Sequence, residues 1–145
     1  MKLELVDFES AEVKKVSSAM PQGLNTNINF VDASLEKDAL RVSFDYLVTY
    51  MPDNSFIRIH GRAVFSGPES KPAYEEWKKQ KSFGGIAGEQ ILNAVNYTCS
   101  INSVFISRVF ALTPPIVPPT IKFNPPGVVP QQTGAGASAQ KPKKK

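Results

Sequence analysis

Three features of the sequence predict an α+β fold: a period-two hairpin in the front half, a helical stripe in the back half, and a proline-rich exit. The hairpin is the clearest. From 40 to 50 the apolar residues Leu40, Val42, Phe44, Tyr46, Val48 and Tyr50 alternate with Arg41, Ser43, Asp45 and Thr49, Leu47 being the exception. Pro52, Asp53 and Asn54 then supply turn chemistry. A second run places Ile57, Ile59, Gly61, Ala63 and Phe65 on one face and Arg58, His60 and Arg62 on the other, which predicts a long antiparallel hairpin. Upstream, residues 27–31 predict a shorter strand and 13–19 a weaker one, with Pro21-Gln22-Gly23 as the turn between them. Together these make a four-stranded antiparallel sheet.

The back half reads as helices. Ser70 is placed to cap a short one, with Pro72 in its first turn, Glu75 and Glu76 early, and Lys78, Lys79 and Lys81 late. Ala73, Tyr74 and Trp77 share a face of it, and Gly84-Gly85 ends it. From 89 to 112 there is no proline or glycine, and only Glu89 and Arg108 are charged. Ile91, Val95, Thr98, Asn102, Phe105, Val109 and Leu112 follow steps of four and three, the spacing of one helix stripe. So apolar a helix needs cover on more than one side. Tyr97, Ile101, Val104 and Ile106 are left for a second surface, and a homo-oligomer, a dimer or a tetramer, is the simplest way to cover them.

Charge separates a body from a tail. The 145 residues carry 17 basic and 13 acidic groups, a net +4. The excess sits on Lys141, Lys143, Lys144 and Lys145, and the chain before Asn124 is balanced. Balance argues against a nucleic-acid face spread over the fold. Residues 1–123 are read as one domain, and 124–145, rich in Pro, Gly, Ala and Gln, as a disordered tail with a basic end. Residues 114–119 must run extended, and Ile116, Val117, Ile121 and Phe123 are apolar enough to lie on the body. No apolar run approaches the ~18 residues of a membrane span, and the first residues lack the apolar core of a secretion signal. A cytoplasmic protein is expected.

Little catalytic chemistry is visible. One cysteine and one histidine exclude a disulfide framework and a Cys/His metal cluster within the chain. No metal and no cofactor is expected, and the chain is not read as an enzyme. Gly84 to Gly88 resembles a phosphate cradle but has neither a preceding strand nor a following Gly-Lys-Ser/Thr, so an interhelical turn is the better reading. Cys99 reads as a buried structural thiol, and Asn96-Tyr97-Thr98 as an accidental glycosylation match inside a helix. Arg58, His60 and Arg62 with Phe56 offer a small RNA-stacking face, which the tail lysines would assist. A solvated or interface-lining sheet face competes with that reading.

The order of parts resembles the SecB-like chaperone family. The stretch Cys99-Ser-Ile-Asn-Ser-Val-Phe-Ile-Ser-Arg108 is similar to the family's Cys-Pro-Asn-x-Leu-Phe-Pro-Tyr-Ala-Arg, with Cys99 and Arg108 at the same separation. The exit Pro115-Ile-Val-Pro-Pro-Thr-Ile-Lys-Phe123 looks like the family's Pro-x-Leu-x-Leu-x-Pro-Val-x-Phe ending. Both helix prolines of the family are absent, and the basic end departs from the acidic bacterial members that contact the SecA motor. The resemblance implies a four-stranded sheet packed on one long C-terminal helix, with a short extra helix beside it. It also implies an ATP-independent holdase that binds unfolded or nascent polypeptides in apolar grooves, without SecA delivery. Phe44, Tyr46, Tyr74, Trp77, Phe83 and Phe105 are then the candidate client contacts, against the alternative that all are core. The competing function is a ribosome- or RNA-associated accessory factor that uses Arg58, His60, Arg62 and the tail lysines.

Overall fold

In the computed structural model of the protein, residues 1–115 are described. Four strands, β1 (Lys2–Lys14), β2 (Gly23–Glu36), β3 (Ala39–Met51) and β4 (Phe56–Ser66), precede two helices, α1 (Ser70–Gln80) and α2 (Gly85–Val109). The strands form one antiparallel sheet in the order β1-β4-β3-β2. Lys37 and Asp38 both take left-handed backbone, the conformation that lets a two-residue turn follow the twist of its strands, and they close the β2–β3 hairpin. The β3–β4 hairpin matches the sequence reading residue for residue: Leu40, Val42, Phe44, Tyr46, Val48, Tyr50, Ile57, Ile59, Ala63 and Phe65 are all buried on one face.

The first strand differs from expectation. It spans Lys2–Lys14 instead of 13–19, and it pairs with β4 across the sheet from β2. Pro21-Gln22-Gly23 therefore ends a connection between opposite edges and is not a hairpin turn. Two register shifts, between Leu3 and Leu5 and between Phe8 and Ser10, put Leu3, Val6, Phe8, Ala11 and Val13 on the inner face. Each bulge adds a residue and breaks the alternation.

Both helices lie on the inner face, α1 over β2 and β3 and α2 over β4 and β1. Ser70 does not cap α1: Glu69 stands at that position, and the buried Ser70 hydroxyl donates to the Phe65 carbonyl at 3.4 Å. The long helix begins at Gly85, whose φ of +57° favours glycine, four residues before the predicted start at 89. At Gly61 a side chain is excluded, because a Cβ would stand 2.5 Å from the Asp7 carbonyl oxygen and 3.0 Å from Phe44 Cζ. The rings of Phe8 and Phe44 meet edge to face across this row, with centroids 6.4 Å apart.

Beyond α2, the Tyr50 phenol donates to the Thr113 carbonyl at 2.6 Å and holds the exit of the chain against β3. Pro115 is buried; the rest of the proline-rich exit, the boundary at 123 and the tail lie outside the described residues. Burial, then Tyr46, pushes the Tyr50 hydroxyl up to about 12. The folded state holds this phenol neutral, so its contribution is intact below about pH 10, where an unfolded tyrosine ionises. It is lost as the pH rises to about 12. Burial pushes the Cys99 thiol up to about 12 as well, so the comparison belongs in a Cys99→Ala background. There the melting temperature is expected to fall between about pH 10 and 12, and Tyr50→Phe is expected to flatten the fall. A fall of unchanged depth in Tyr50→Phe would refute this assignment.

Candidate functional site

The helix α2 has two faces of opposite use. Ile91, Val95, Cys99, Ser103 and Ser107, at steps of four, are buried. The stripe of four-residue steps on the far side, Tyr97, Ile101, Phe105 and Val109, is exposed, Tyr97 at 59%, Phe105 at 62% and Val109 at 79%. The stripe expected from apolar spacing is therefore split. Ile91 and Val95 do face the core, whereas Phe105 and Val109 point away from it. Small residues take their place below, and they need no partner from the sheet. Ser103 Oγ donates to the Ser100 carbonyl at 2.8 Å and Ser107 Oγ to the Val104 carbonyl at 2.7 Å. Apolar side chains at every fourth position on the outside of a helix form a continuous strip about 18 Å long.

A second feature lies where α1 and the loop after it meet the outer strand β2. Ile28 and Phe30 of β2, Trp77 of α1, Phe83 of the interhelical loop and Leu92 of α2 line a groove of about 230 Å³, together with Asn29, Lys81 and Ser82. Phe83 organises the wall. It stacks on Trp77 (centroids 4.9 Å apart) and meets Phe30 edge to face (5.4 Å). Lys81 ends α1 in left-handed backbone, its N–H bonded to the Trp77 carbonyl, and its ammonium lies 5.9 Å from the Trp77 ring centroid. Trp77 Nε1 is buried and has no hydrogen-bond partner among the described residues.

The six apolar candidates separate on these two features. Phe44 and Tyr46 are wholly buried inside the sheet–helix core, where alternation on β3 puts them; they present no surface to a client in this chain. Trp77 and Phe83 are nearly buried, yet both line the groove. Tyr74 is half-buried beneath Lys78, whose ammonium lies 5.2 Å from its ring. Phe105 stands on the outer stripe of α2. Sequence reasoning missed Ile28, Phe30 and Leu92 as groove residues. The inward alternation of Leu24, Thr26, Ile28 and Phe30 was the available signal, and the bulge after Phe30 cut it short.

The polar face of the sheet is a compensated network. Register puts His60 opposite Asp45 of β3, and the bulged residue Glu9 of β1 reaches it from the other side. His60 Nδ1 lies 2.9 Å from Asp45 and Nε2 3.3 Å from Glu9, which also pairs with Arg62. Arg58 lies over the Phe56 ring at 5.7 Å. This face carries matched charge in place of the bare basic patch that an RNA contact would use. The tail lysines Lys141, Lys143, Lys144 and Lys145 lie outside the described residues.

The remaining motifs are structural. Cys99 is buried, and burial pushes its thiol up to about 12, far from the reactive range. Asn96 is 1% exposed within α2, out of reach of glycosylation. A Cβ on Gly84 would fall 2.6 Å from Glu76 Oε1, so a carboxylate flanks the glycine loop where a phosphate would be needed. Among the described residues no group of three or more His, Cys, Asp or Glu side chains is arranged to hold a metal, and no helix is long and apolar enough to cross a membrane.

No protein-family model and no curated protein matches the sequence. The fold is similar to that of the Mycobacterium tuberculosis SecB-like chaperone Rv1957, solved in complex with a ChAD peptide from the Rv1956 HigA1 antitoxin. The two align with a TM-score of 0.53 and 15% sequence identity, over 86% of this chain and 91% of that chain. This chain thus has an α+β fold of the SecB-like kind, a four-stranded antiparallel sheet with two helices.

Proposed function

We propose that this protein is an ATP-independent holdase of the SecB-like kind, which binds unfolded or nascent polypeptides in the cytoplasm and keeps them from aggregating. The observation that carries the reading is the apolar stripe Tyr97, Ile101, Phe105 and Val109 left on the surface of α2. A soluble chain that leaves such a strip uncovered has a use for it, either as an interface or as a client surface. The aromatic groove beside β2 supports the same reading, since it offers apolar walls next to the free edge of an outer strand. The fold likeness to a chaperone solved with a bound peptide adds weight. Homo-oligomer formation belongs to the proposal: a two-fold pairing of α2 stripes would cover part of the strip and leave the grooves open at the periphery. The reaction is binding alone, with no nucleophile, metal or cofactor assigned.

The test is aggregation of a chemically denatured model protein on dilution, followed by light scattering without nucleotide. Equimolar to several-fold excess of this chain is expected to suppress the scattering in proportion to its concentration. No suppression at several-fold excess would overturn the holdase reading.

A further inference from the structure

We propose that a second copy of this chain joins the outer edge of β2, strand to strand in antiparallel register about Asn27, so that the two sheets run on as one. The inference goes beyond the holdase reading and does not depend on client binding. Three asparagines, Asn25, Asn27 and Asn29, stand at alternate positions of β2. All are exposed, on the face away from the helices, since Ile28 and Phe30 between and beside them turn inward. Asparagine is depleted in strands, so a row of three on an edge strand calls for a physical reason.

A side-chain amide carries both donors and an acceptor, so two asparagines set face to face pair with each other, and a row of them is complementary to its own copy. In an antiparallel pairing about Asn27, Asn27 meets the partner's Asn27 and Asn25 meets the partner's Asn29. No other register sets all three against asparagine, because positions 25, 27 and 29 are symmetric only about 27. The same axis centres the uncharged stretch from Gly23 to Val31, which ends at Asp32. A two-fold axis brings like charges together, and this stretch has none to bring. On the inner face Leu24 is 37% exposed in the single chain. The partner's Leu24 comes to lie opposite Phe30, so the second copy adds a residue to the groove wall.

The opposite edge is guarded against the same contact. β1 carries Lys2, Glu4, Asp7, Glu9, Glu12 and Lys14 and two register shifts, the devices that keep an edge strand from pairing. From Gly23 to Phe30, β2 has neither. It pairs on one side only, with β3, and its outward N–H and C=O groups are free to bond to a second strand. The exposed stripe of α2, about 18 Å long and one helix wide, offers well under the ~800 Å² per partner of a standard stable interface. An assembly built on that stripe therefore needs a second contact. A single strand pair is marginal in water by itself, so the edge contact adds to the α2 contact and does not replace it.

Cysteine cross-linking of the full chain in a Cys99→Ala background reads the register. Opposed Cα atoms of antiparallel strands lie about 4.5–5.5 Å apart, within the reach of a disulfide. With oxidised glutathione at micromolar protein, Asn27→Cys is expected to cross-link to itself at least about tenfold faster than Asn25→Cys or Asn29→Cys alone. An equal mixture of those two should cross-link about as fast as Asn27→Cys. Asn27→Lys, which sets two ammonium groups on the axis, should at least halve the light-scattering mass of the native protein and leave its far-ultraviolet circular dichroism unchanged. Equal rates for the three single variants, or a native mass for Asn27→Lys, would overturn the inference. Aggregation suppression by the native chain reads the holdase separately. Suppression without the Asn27 cross-link defeats this inference and leaves the holdase; the cross-link without suppression does the reverse.

Discussion

Gly61→Val is expected to cost about 3 kcal/mol or more of folding stability. The new Cβ would press on backbone, the Asp7 carbonyl oxygen at 2.5 Å and Phe8 Cα at 3.3 Å, and on the Phe44 ring at 3.0 Å. A ring can turn, but a strand held by pairing over its whole length cannot retreat without breaking register. The damage therefore falls on β1–β4 pairing and on the Phe8–Phe44 contact together. In thermal unfolding this amounts to a fall of more than about 10 °C. Gly23→Ala is the matched control. Nothing lies within 4 Å of a Cβ at Gly23, and it is expected to change stability by less than about 0.5 kcal/mol. Equal melting temperatures for Gly61→Val and the native chain would contradict the close approach.

The same region shows why part of the fold was legible and part was not. The hairpin β3–β4 has no register shift, so alternation on both strands maps directly onto burial. Along β1 the inward residues Leu3, Val6, Phe8, Ala11 and Val13 are spaced by three and two in turn, a rhythm that matches neither a strand nor a helix. On α2 the apolar residues average three and a half residues per step, while the buried line runs in steps of four through Cys99, Ser103 and Ser107. Two of those three are polar, and an apolar count passes over them. Their hydroxyls bond inside the helix, so burial costs little there. The candidate site depended on contacts that local spacing does not carry. Trp77 and Phe83 were recognisable as large aromatics near a chain break, but their partners Ile28 and Phe30 lie on an edge strand far away in sequence. His60 read as an isolated histidine because its two carboxylates come from neighbouring strands, and one sits on a bulge.

Aspartate at both Ile101 and Phe105 is expected to abolish self-association and most of the aggregation suppression while leaving the fold intact. Both side chains are exposed in this chain, at 41% and 62%, so their replacement removes little from the core. The melting temperature of the separated chain should move by only a few degrees, on the order of ±0.5 kcal/mol per exposed site. In an interface the effect is of another size. A carboxylate brought out of water against apolar neighbours costs several kcal/mol, and a two-fold axis sets each charge near its own copy. Four such groups across one symmetric contact exceed what an interface of this length can offset. Light scattering at micromolar concentration should therefore move from a multiple of 15.9 kDa for the native chain to that single mass for the double variant. Gln80→Glu, exposed on α1 and away from the stripe, should leave the mass unchanged. A native mass of one chain, constant on concentration, would defeat the assembly. Loss of suppression in the double variant would then assign the stripe to clients directly, and full suppression by it would place client binding elsewhere, with the β2 groove as the remaining surface.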